Sequence, residues 1–457
     1  MRKLDPDIPI CAGGTSSMLS SSNSISGIDE ELIINELDDV ILNESGGSTI
    51  FSDLLLALSE KKKVMVDPEM GGGTHGILLQ FLHGKSDIAK WWWASFPSKE
   101  YLHMNESSLP HSKEISLSDI DEVLRIGLDV RRLGSEIAEF TKVDPEIAIL
   151  YSKTSIVQVP PQQVQAGRTP YIDAVYSVWE GAKFLGCRIG FISEKQILAG
   201  KLAKLKLLIV PAAKYMLPEV FTAIQDYIKK GGTVVVIPES FGFDQYAGEN
   251  NKIPTFGITL TGVTLPPVMG QGEKEQNYDQ SFSQAIIYGD VQRKITTLDR
   301  DIFADCKTPL ILSSDGLVQT IDPGVNQVLA KFNDGKAAIV LAHLGKGSLY
   351  YLAAPLKSAD YHLLLSPLAQ KLNIKRPVTG VNPNGKLVTG AEIRALERET
   401  DYLVYASNLT AEPVELDLKA ASKITALLDL RSLKEIAGCH IKLGPWQETI
   451  YRVEKLK

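Results

Sequence analysis

Short apolar runs alternate with stretches of helical spacing through the first third of the chain. Ile8-Pro9-Ile10-Cys11 reads as a strand that enters a Gly/Ser-rich loop from Gly13 to Gly27. Asp38-Asp39-Val40-Ile41-Leu42 predicts a second strand, closed by Asn43-Glu44. Ile50 to Leu58 repeats at helical spacing. Lys63-Val64-Met65-Val66-Asp67 predicts a third strand, followed by Pro68-Glu69 and the glycines Gly71 to Gly73. Thr74 to His83 reads as a helix and Asp87 to Trp93 as a fourth strand. Ile115 to Phe140 reads as one long amphipathic helix. Strands that end in polar loops and alternate with helices are the pattern of a parallel α/β unit.

From 143 onward the strands become uniformly apolar. Glu146 to Tyr151, Cys187 to Ile192, Leu205 to Val210 and Thr233 to Ile237 are predicted strands. Helices over Thr169 to Leu185 and Leu217 to Lys230 separate them. Such strands suit a parallel sheet covered on both faces. Lys336 to Ala342 and Gly347 to Ala353 read as a strand pair turning at Gly345-Lys346-Gly347, and Tyr361 to Leu372 as a helix. Val378 to Gly385 reads as a Pro/Gly/Asn-rich linker. Beyond it the period changes to two, as in Val414-Glu415-Leu416-Asp417-Leu418, which predicts antiparallel strands with one wet face and a small β sandwich.

Composition narrows the function classes. The 457 residues suggest two to four domains. A formal net charge of -7 argues against a nucleic-acid partner, and the one tight basic run, Lys61-Lys62-Lys63, reads as a solvated strand entry. Cys11, Cys187, Cys306 and Cys439 lie far apart and form no C-x-x-C pair, so neither a zinc site nor a disulfide framework is indicated. No apolar run approaches the ~18 residues of a membrane span. The start, Met1-Arg2-Lys3-Leu4-Asp5, has no signal-peptide core, which implies a cytoplasmic protein if Met1 is the genuine start.

Several residues could carry chemistry. Glu69 follows a buried strand and precedes glycines that let a ligand approach the backbone closely. In α/β barrels the catalytic groups sit at the C-terminal ends of strands. A carboxylate there could attack an anomeric carbon, paired with a second carboxyl group ~5–5.5 Å away. An ordinary loop carboxylate or helix cap is the alternative. Asn43-Glu44 also closes a strand, one strand-helix-strand step before Glu69, so the two would sit on neighbouring strands. Its alternative is a turn before Gly46-Gly47. Asp38 and Asp39 are weaker candidates, since a strand Asp often only fixes backbone. Trp91 and Trp93 point one way on a strand and Trp92 the other, and an indole at a barrel mouth is a good sugar platform. His75, His83 and His103 show no metal-ligand spacing. In the middle region no Cys lies near a strand's C-terminal end and no G-x-G-x-x-G follows the first strand. Nucleophilic catalysis and nucleotide binding are therefore not expected there.

At this point the residues resemble a known family. Leu78-Leu79-Gln80-Phe81-Leu82-His83-Gly84, then Ile88 through Trp93, then Glu100 to His103, is similar to the last barrel strand of family 42 glycoside hydrolases. The middle region looks like their amidotransferase-like trimerisation domain, and the tail through Leu443-Gly444-Pro445-Trp446 like their C-terminal β domain. The resemblance implies an α/β chain in three parts. These are the C-terminal half of a (β/α)8 TIM barrel over 1–142, a flavodoxin-like trimerisation domain over 143–377, and a β sandwich over 386–457. It further implies a retaining β-galactosidase-like enzyme with Glu69 as nucleophile at the end of the seventh strand. Asn43, Trp91, Trp93 and His103 would contact a β-galactoside-like substrate. No cofactor is implied, and the expected assembly is a homo-oligomer such as a trimer. The family's acid/base Glu follows an Asn on the fourth strand. Counting back from Trp91–Trp93 as the eighth places Asn43-Glu44 on the sixth, so Glu44 can be a second carboxyl group or a substrate contact. A full barrel takes ~250 residues, so strands one to four and the acid/base are expected to lie outside this sequence. A non-catalytic oligomerisation or carbohydrate-binding module derived from such an enzyme is the alternative.

Overall fold

The computed structural model describes residues 8–11, 18–19, 28–37, 39–43, 48–61, 64–66, 76–87, 117–158, 169–265, 268–273, 284–288, 293–304, 306, 308–314 and 316–455. In the first part the elements are β1 (Ile41–Leu42), α1 (Thr49–Leu58), β2 (Met65–Val66), α2 (Ile77–Leu82), α3 (Leu117–Arg132) and α4 (Gly134–Lys142). β1 and β2 are parallel, with Ile41 opposite Met65 and Leu42 opposite Val66. Met65 is bridged in parallel to Lys85 on its other side. Asp39 N donates to Ile10 O across 2.7 Å. β1 and β2 thus stand side by side, with Ile10 bonded to Asp39 just before β1 and Lys85 beside Met65, as in a (β/α) barrel wall; residues 88–93 of the fourth expected strand lie outside the described residues. Helix α1 is buried along nearly its whole length, including Ile50, Phe51, Leu54, Leu55 and Leu58. It is apolar all round because it is enclosed: on its far side it packs on a strand of the next part.

The long helix expected over 115–140 is two helices. Leu133 leaves the helical region (φ -104°, ψ 13°), and Gly134 starts α4 in a new direction.

The second part begins with β3 (Ile147–Tyr151), α5 (Pro170–Ala182), β4 (Ile189–Ser193), β5 (Leu207–Val210), α6 (Pro218–Lys229) and β6 (Thr233–Val236). Every residue of these four strands is buried, as their unbroken apolar runs dictate. Thr169 caps α5 through its Oγ1, which accepts from Ile172 N, and Pro170 occupies the first turn where no N–H is needed. The chain continues through β7 (Thr259–Thr264), β8 (Val268–Glu273), β9 (Gln284–Tyr288), β10 (Arg293–Thr297), β11 (Ile311–Ser314), β12 (Val318–Asp322), β13 (Gln327–Phe332), β14 (Ala337–Leu344), β15 (Gly347–Leu352) and α7 (Ser358–Lys371). Among the described residues one nine-stranded sheet runs β11-β10-β13-β14-β15-β6-β5-β3-β4. Its parallel half, β4-β3-β5-β6-β15, has the 2-1-3-4-5 order of flavodoxin-like folds. The expected hairpin is present: Leu344 pairs with Gly347 around a two-residue turn at Gly345-Lys346.

The third part holds β16 (Val378–Val381), β17 (Ala391–Glu397), β18 (Asp401–Asn408), β19 (Val414–Ala420), β20 (Ala426–Asp429), β21 (Lys434–Ala437), β22 (His440–Leu443) and β23 (Glu448–Glu454). Among the described residues they form the sheets β16-β19-β22 and β17-β18-β23-β20-β21, packed face to face over Val404, Leu416, Leu418, Leu443 and Val453. The stretch expected to be a linker, 378–385, thus begins with a strand, β16, which pairs antiparallel with β19. The outer face of the five-stranded sheet is covered as well. Leu403, Tyr405 and Ile450 pack against Val123, Ile126 and Phe140 of α3 and α4 and against Leu78 and Leu82 of α2.

Candidate active site and buried ionic junction

In a (β/α) barrel the reacting groups project from the C-terminal strand ends. Here β1 ends at Leu42 and β2 at Val66, locked in register. Asn43 N donates to Val66 O across 2.8 Å, and Ser86 N to Met65 O across 2.8 Å. The described strand ends, Asn43 and Val66, are therefore adjacent, about 5 Å apart. Of the expected site residues, Asn43 is described; Glu44, Glu69, Trp91, Trp93 and His103 lie outside the described residues. Asn43 is fully buried. Its Nδ2 donates to Ser52 Oγ (3.0 Å) and points at Met65 Sδ (3.4 Å), while its Oδ1 has no hydrogen-bond partner among the described residues. This arrangement anchors the strand end to α1 and β2. Asp39, expected as a buried strand Asp that fixes backbone, is instead exposed and lies before β1; its Oδ2 accepts from Ile10 N at 2.8 Å. Asp38 lies outside the described residues.

A cluster that sequence reasoning missed joins all three parts of the chain. His83 closes α2. Its Nδ1 lies 2.9 Å from Asp53 Oδ2 of α1 and its Nε2 lies 3.2 Å from Glu392 Oε1 of β17. Arg394, two residues along the same strand, sets Nε 2.7 Å from Glu392 Oε1 and Nη2 3.4 Å from Asp53 Oδ2. Trp179 of α5 donates its indole N–H to Asp53 Oδ2 across 3.1 Å. Lys183 covers the same indole, with Nζ 4.6 Å from the ring centre, and pairs with Glu180 at 3.2 Å. Asp53, His83, Glu392 and Arg394 are all buried. A carboxylate at each ring nitrogen favours the imidazolium, against Arg394 Nη2, which lies 3.1 Å from both ring nitrogens. Burial and the Arg394 charge push its pKa down, but Asp53 and Glu392 outweigh them and raise it. Burial pushes both carboxyls up in turn. The His83 and Arg394 charges overcome it and hold Asp53 and Glu392 below the usual carboxylate range. Two cations and two anions thus sum to zero, the condition under which buried charges persist.

The His83-Gly84 step noted in the sequence has a steric cause. Gly84 has φ +104°, and a Cβ there would fall 2.2 Å from Leu56 Cδ1. The sequence signal for the rest is β17 itself, where Glu392 and Arg394 share one face of an otherwise apolar strand.

In the flavodoxin-like part, ligands of such sheets sit outside the C-terminal strand ends beside the order reversal, here β3 and β5. On the other side of β3, the strand ends of β3 and β4 are covered by the chain itself. Glu194 accepts from Ser152 Oγ (2.9 Å) and Thr154 Oγ1 (2.8 Å). A helical segment, Glu30–Leu32 running into Ile33–Leu37, lies over these strand ends. Lys153 pairs with Glu30 at 2.8 Å, Ser193 Oγ donates to Glu31 at 2.8 Å, and Lys195 pairs with Asp29 at 2.5 Å. Cys187 lies two residues before β4, at the opposite end of the sheet, and burial pushes its thiol up to about 12. Among the described residues no group of three or more His, Cys, Asp or Glu could hold a metal ion, and no helix is long and apolar enough to cross a membrane.

No family model matches the sequence, and no curated protein sequence matches it. Solved structures do. A catalytic mutant of a GH42 β-galactosidase from G. stearothermophilus is 16% identical with a TM-score of 0.67, over 93% of this chain and 61% of that one. The β-galactosidase from Bacillus circulans sp. alkalophilus is 15% identical with a TM-score of 0.61, over 89% of this chain and 57% of that one. An alpha-L-fucosidase, isoenzyme 2 from Paenibacillus thiaminolyticus, is 10% identical with a TM-score of 0.57, over 100% of this chain and 69% of that one. The chain spans about three fifths of the length of the two β-galactosidases. Barrel wall, flavodoxin-like sheet and β sandwich follow one another here as one continuous likeness, and the chain has the fold of the C-terminal part of GH42 β-galactosidases.

Proposed function

We propose that this chain is the C-terminal part of a retaining glycoside hydrolase acting on β-galactoside-like substrates. The observation that carries the reading is the parallel register of β1 and β2, whose ends Leu42 and Val66 lie side by side in a barrel wall. On this reading Glu69 is the nucleophile that forms the glycosyl-enzyme, and a second carboxyl group protonates the leaving oxygen and then activates water. Glu44, next in sequence after Asn43, would serve as that group or as a substrate contact. Asn43 holds its strand end, and Trp91, Trp93 and His103 line the sugar site. The fold alone does not choose the sugar, since the alpha-L-fucosidase shares it. The test is Glu69→Gln in the full-length protein. Turnover of an aryl β-galactoside falls at least 10³-fold on this reading; activity near the parent level contradicts it.

A second reading rests on the flavodoxin-like part, whose β3 and β4 strand ends are covered by residues 29–31. That part is an assembly unit holding copies of the chain together, as a trimer on the family resemblance. Light scattering at micromolar concentration tests it, and a strict monomer contradicts it.

A further inference from the structure

We propose that the β sandwich sets the position of the barrel strand ends through helix α1, with Arg394 as a positioning residue for the reaction. The inference rests on the glycosidase reading above, which places the reacting groups at those ends. Asn43 is the staple there. Its backbone N donates to Val66 O across 2.8 Å, so it ties the ends of β1 and β2 together. Its side chain is oriented by α1: Nδ2 donates to Ser52 Oγ at 3.0 Å, with Met65 Sδ, a weak acceptor, at 3.4 Å. Asn43 and Ser52 are both fully buried, so water does not replace a lost partner. The Asn43 amide therefore follows any shift of α1.

Asp53 is the next residue on the same helix, roughly 100° round its axis. Ser52 thus faces the strand ends while Asp53 faces the ionic junction. Three parts of the chain hold Asp53 Oδ2: His83 Nδ1 at 2.9 Å, the Trp179 indole N–H at 3.1 Å and Arg394 Nη2 at 3.4 Å. The sandwich supplies two of the groups in this grip. Arg394 reaches Asp53 itself, and Glu392 holds both His83 Nε2 (3.2 Å) and Arg394 Nε (2.7 Å). Both stand on β17, which is paired with β18 along its whole length, from Ala391 opposite Asn408 to Glu397 opposite Tyr402. β17 is a stiff frame, and α1 is enclosed on nearly every side, so the helix moves as one body. A set of buried charges adds little net stability over apolar packing of the same shape; its distinctive effect is to fix one arrangement. The arrangement fixed here is the seat of α1, and through Ser52 that of Asn43. The guanidinium fork is what lets Arg394 span Glu392 and Asp53 at once, and a lysine has no such fork.

The experiment compares the full-length parent with Arg394→Lys, Ser52→Ala and the double variant on an aryl β-galactoside. Assays run well below the unfolding midpoints, where lost stability alone leaves kcat unchanged. A shift of 1 Å or less at the reacting groups predicts kcat lower on the order of tenfold in each single variant, with KM within about twofold. Both substitutions cut one tie in series, so the double variant matches the slower single within about twofold. An unchanged kcat in Arg394→Lys, or losses that multiply in the double variant, overturns the proposal. A second readout needs no turnover: the Asn43 side-chain amide signal in protein carrying isotope-labelled asparagine, identified by its absence from Asn43→Asp. The tie predicts that this signal moves in Arg394→Lys, and an unmoved signal overturns it. Glu392→Gln weakens the same grip and takes the place of Arg394→Lys should that variant not fold. A parent without turnover overturns the glycosidase reading alone, and the amide signal then decides the tie.

Discussion

Trp179 donates its indole N–H to Asp53 Oδ2 across 3.1 Å, and this bond ties α5 of the flavodoxin-like sheet to α1 of the barrel wall. The same carboxylate oxygen receives His83 and faces Arg394 of the sandwich. One acidic oxygen therefore serves as the meeting point of three structural parts, with water excluded. Trp179→Phe keeps the ring and removes the donor. The expected loss is about 1.5–3 kcal/mol, the range for hydrogen bonds to charged groups, read from urea unfolding. A loss under about 0.5 kcal/mol would mean that Asp53 does not need this donor.

Arg394→Leu removes one of two cations and leaves two buried carboxylates with only His83 between them. Breaking a buried ionic set in this way costs about 3–5 kcal/mol, and the variant should unfold at markedly lower denaturant. Stability equal to the parent's would show that the network is not charge-balanced as described.

The pH dependence follows from the direction of each shift. His83 is raised, so its contribution is complete below the ordinary value near 6.5 and is lost as pH climbs through its folded value. Asp53 and Glu392 are depressed, so theirs is present above about 4 and is lost as acid protonates them. Thermal stability should peak on the acid side of neutrality and decline from pH 6 to pH 9. His83→Gln should flatten the decline; a melting temperature that climbs across that interval would refute the charge assignment.

Gly84→Ala combines a φ of +104° with a Cβ 2.2 Å from Leu56 Cδ1. Strain of this kind costs about 1–3 kcal/mol, measurable as a lowered unfolding midpoint. A neutral substitution would show that Leu56 can swing aside and that the turn relaxes.

Much of the fold was legible in the sequence because burial on both faces leaves a plain mark. β3, β5 and β6 read as unbroken apolar runs, and the Gly345-Lys346 turn announced its hairpin. β16 escaped because four residues, Val378 to Val381, stand among turn-forming residues and are recruited only by β19, some forty positions later. The break at Leu133 escaped because leucine continues the apolar stripe on which α3 and α4 both depend. Of the expected site residues, Asn43 fell where the register could be followed, with its Nδ2 donating to Ser52 Oγ. Of the ionic junction, only the Glu392 and Arg394 pair on one face of β17 leaves a mark in the sequence. Arg394 and Asp53 are 341 positions apart, and no local spacing signals a contact made only when three parts assemble.

The most direct measurement is covalent trapping. The full-length protein is incubated with a fluorinated β-galactoside whose activated leaving group permits glycosylation while the fluorine slows hydrolysis, and the digested protein is mapped by mass spectrometry. A retaining mechanism with Glu69 as nucleophile predicts one sugar adduct, on the peptide carrying Glu69 and absent from Glu69→Gln. An adduct on Glu44 or elsewhere would reassign the nucleophile, and turnover without any adduct would contradict the proposed mechanism.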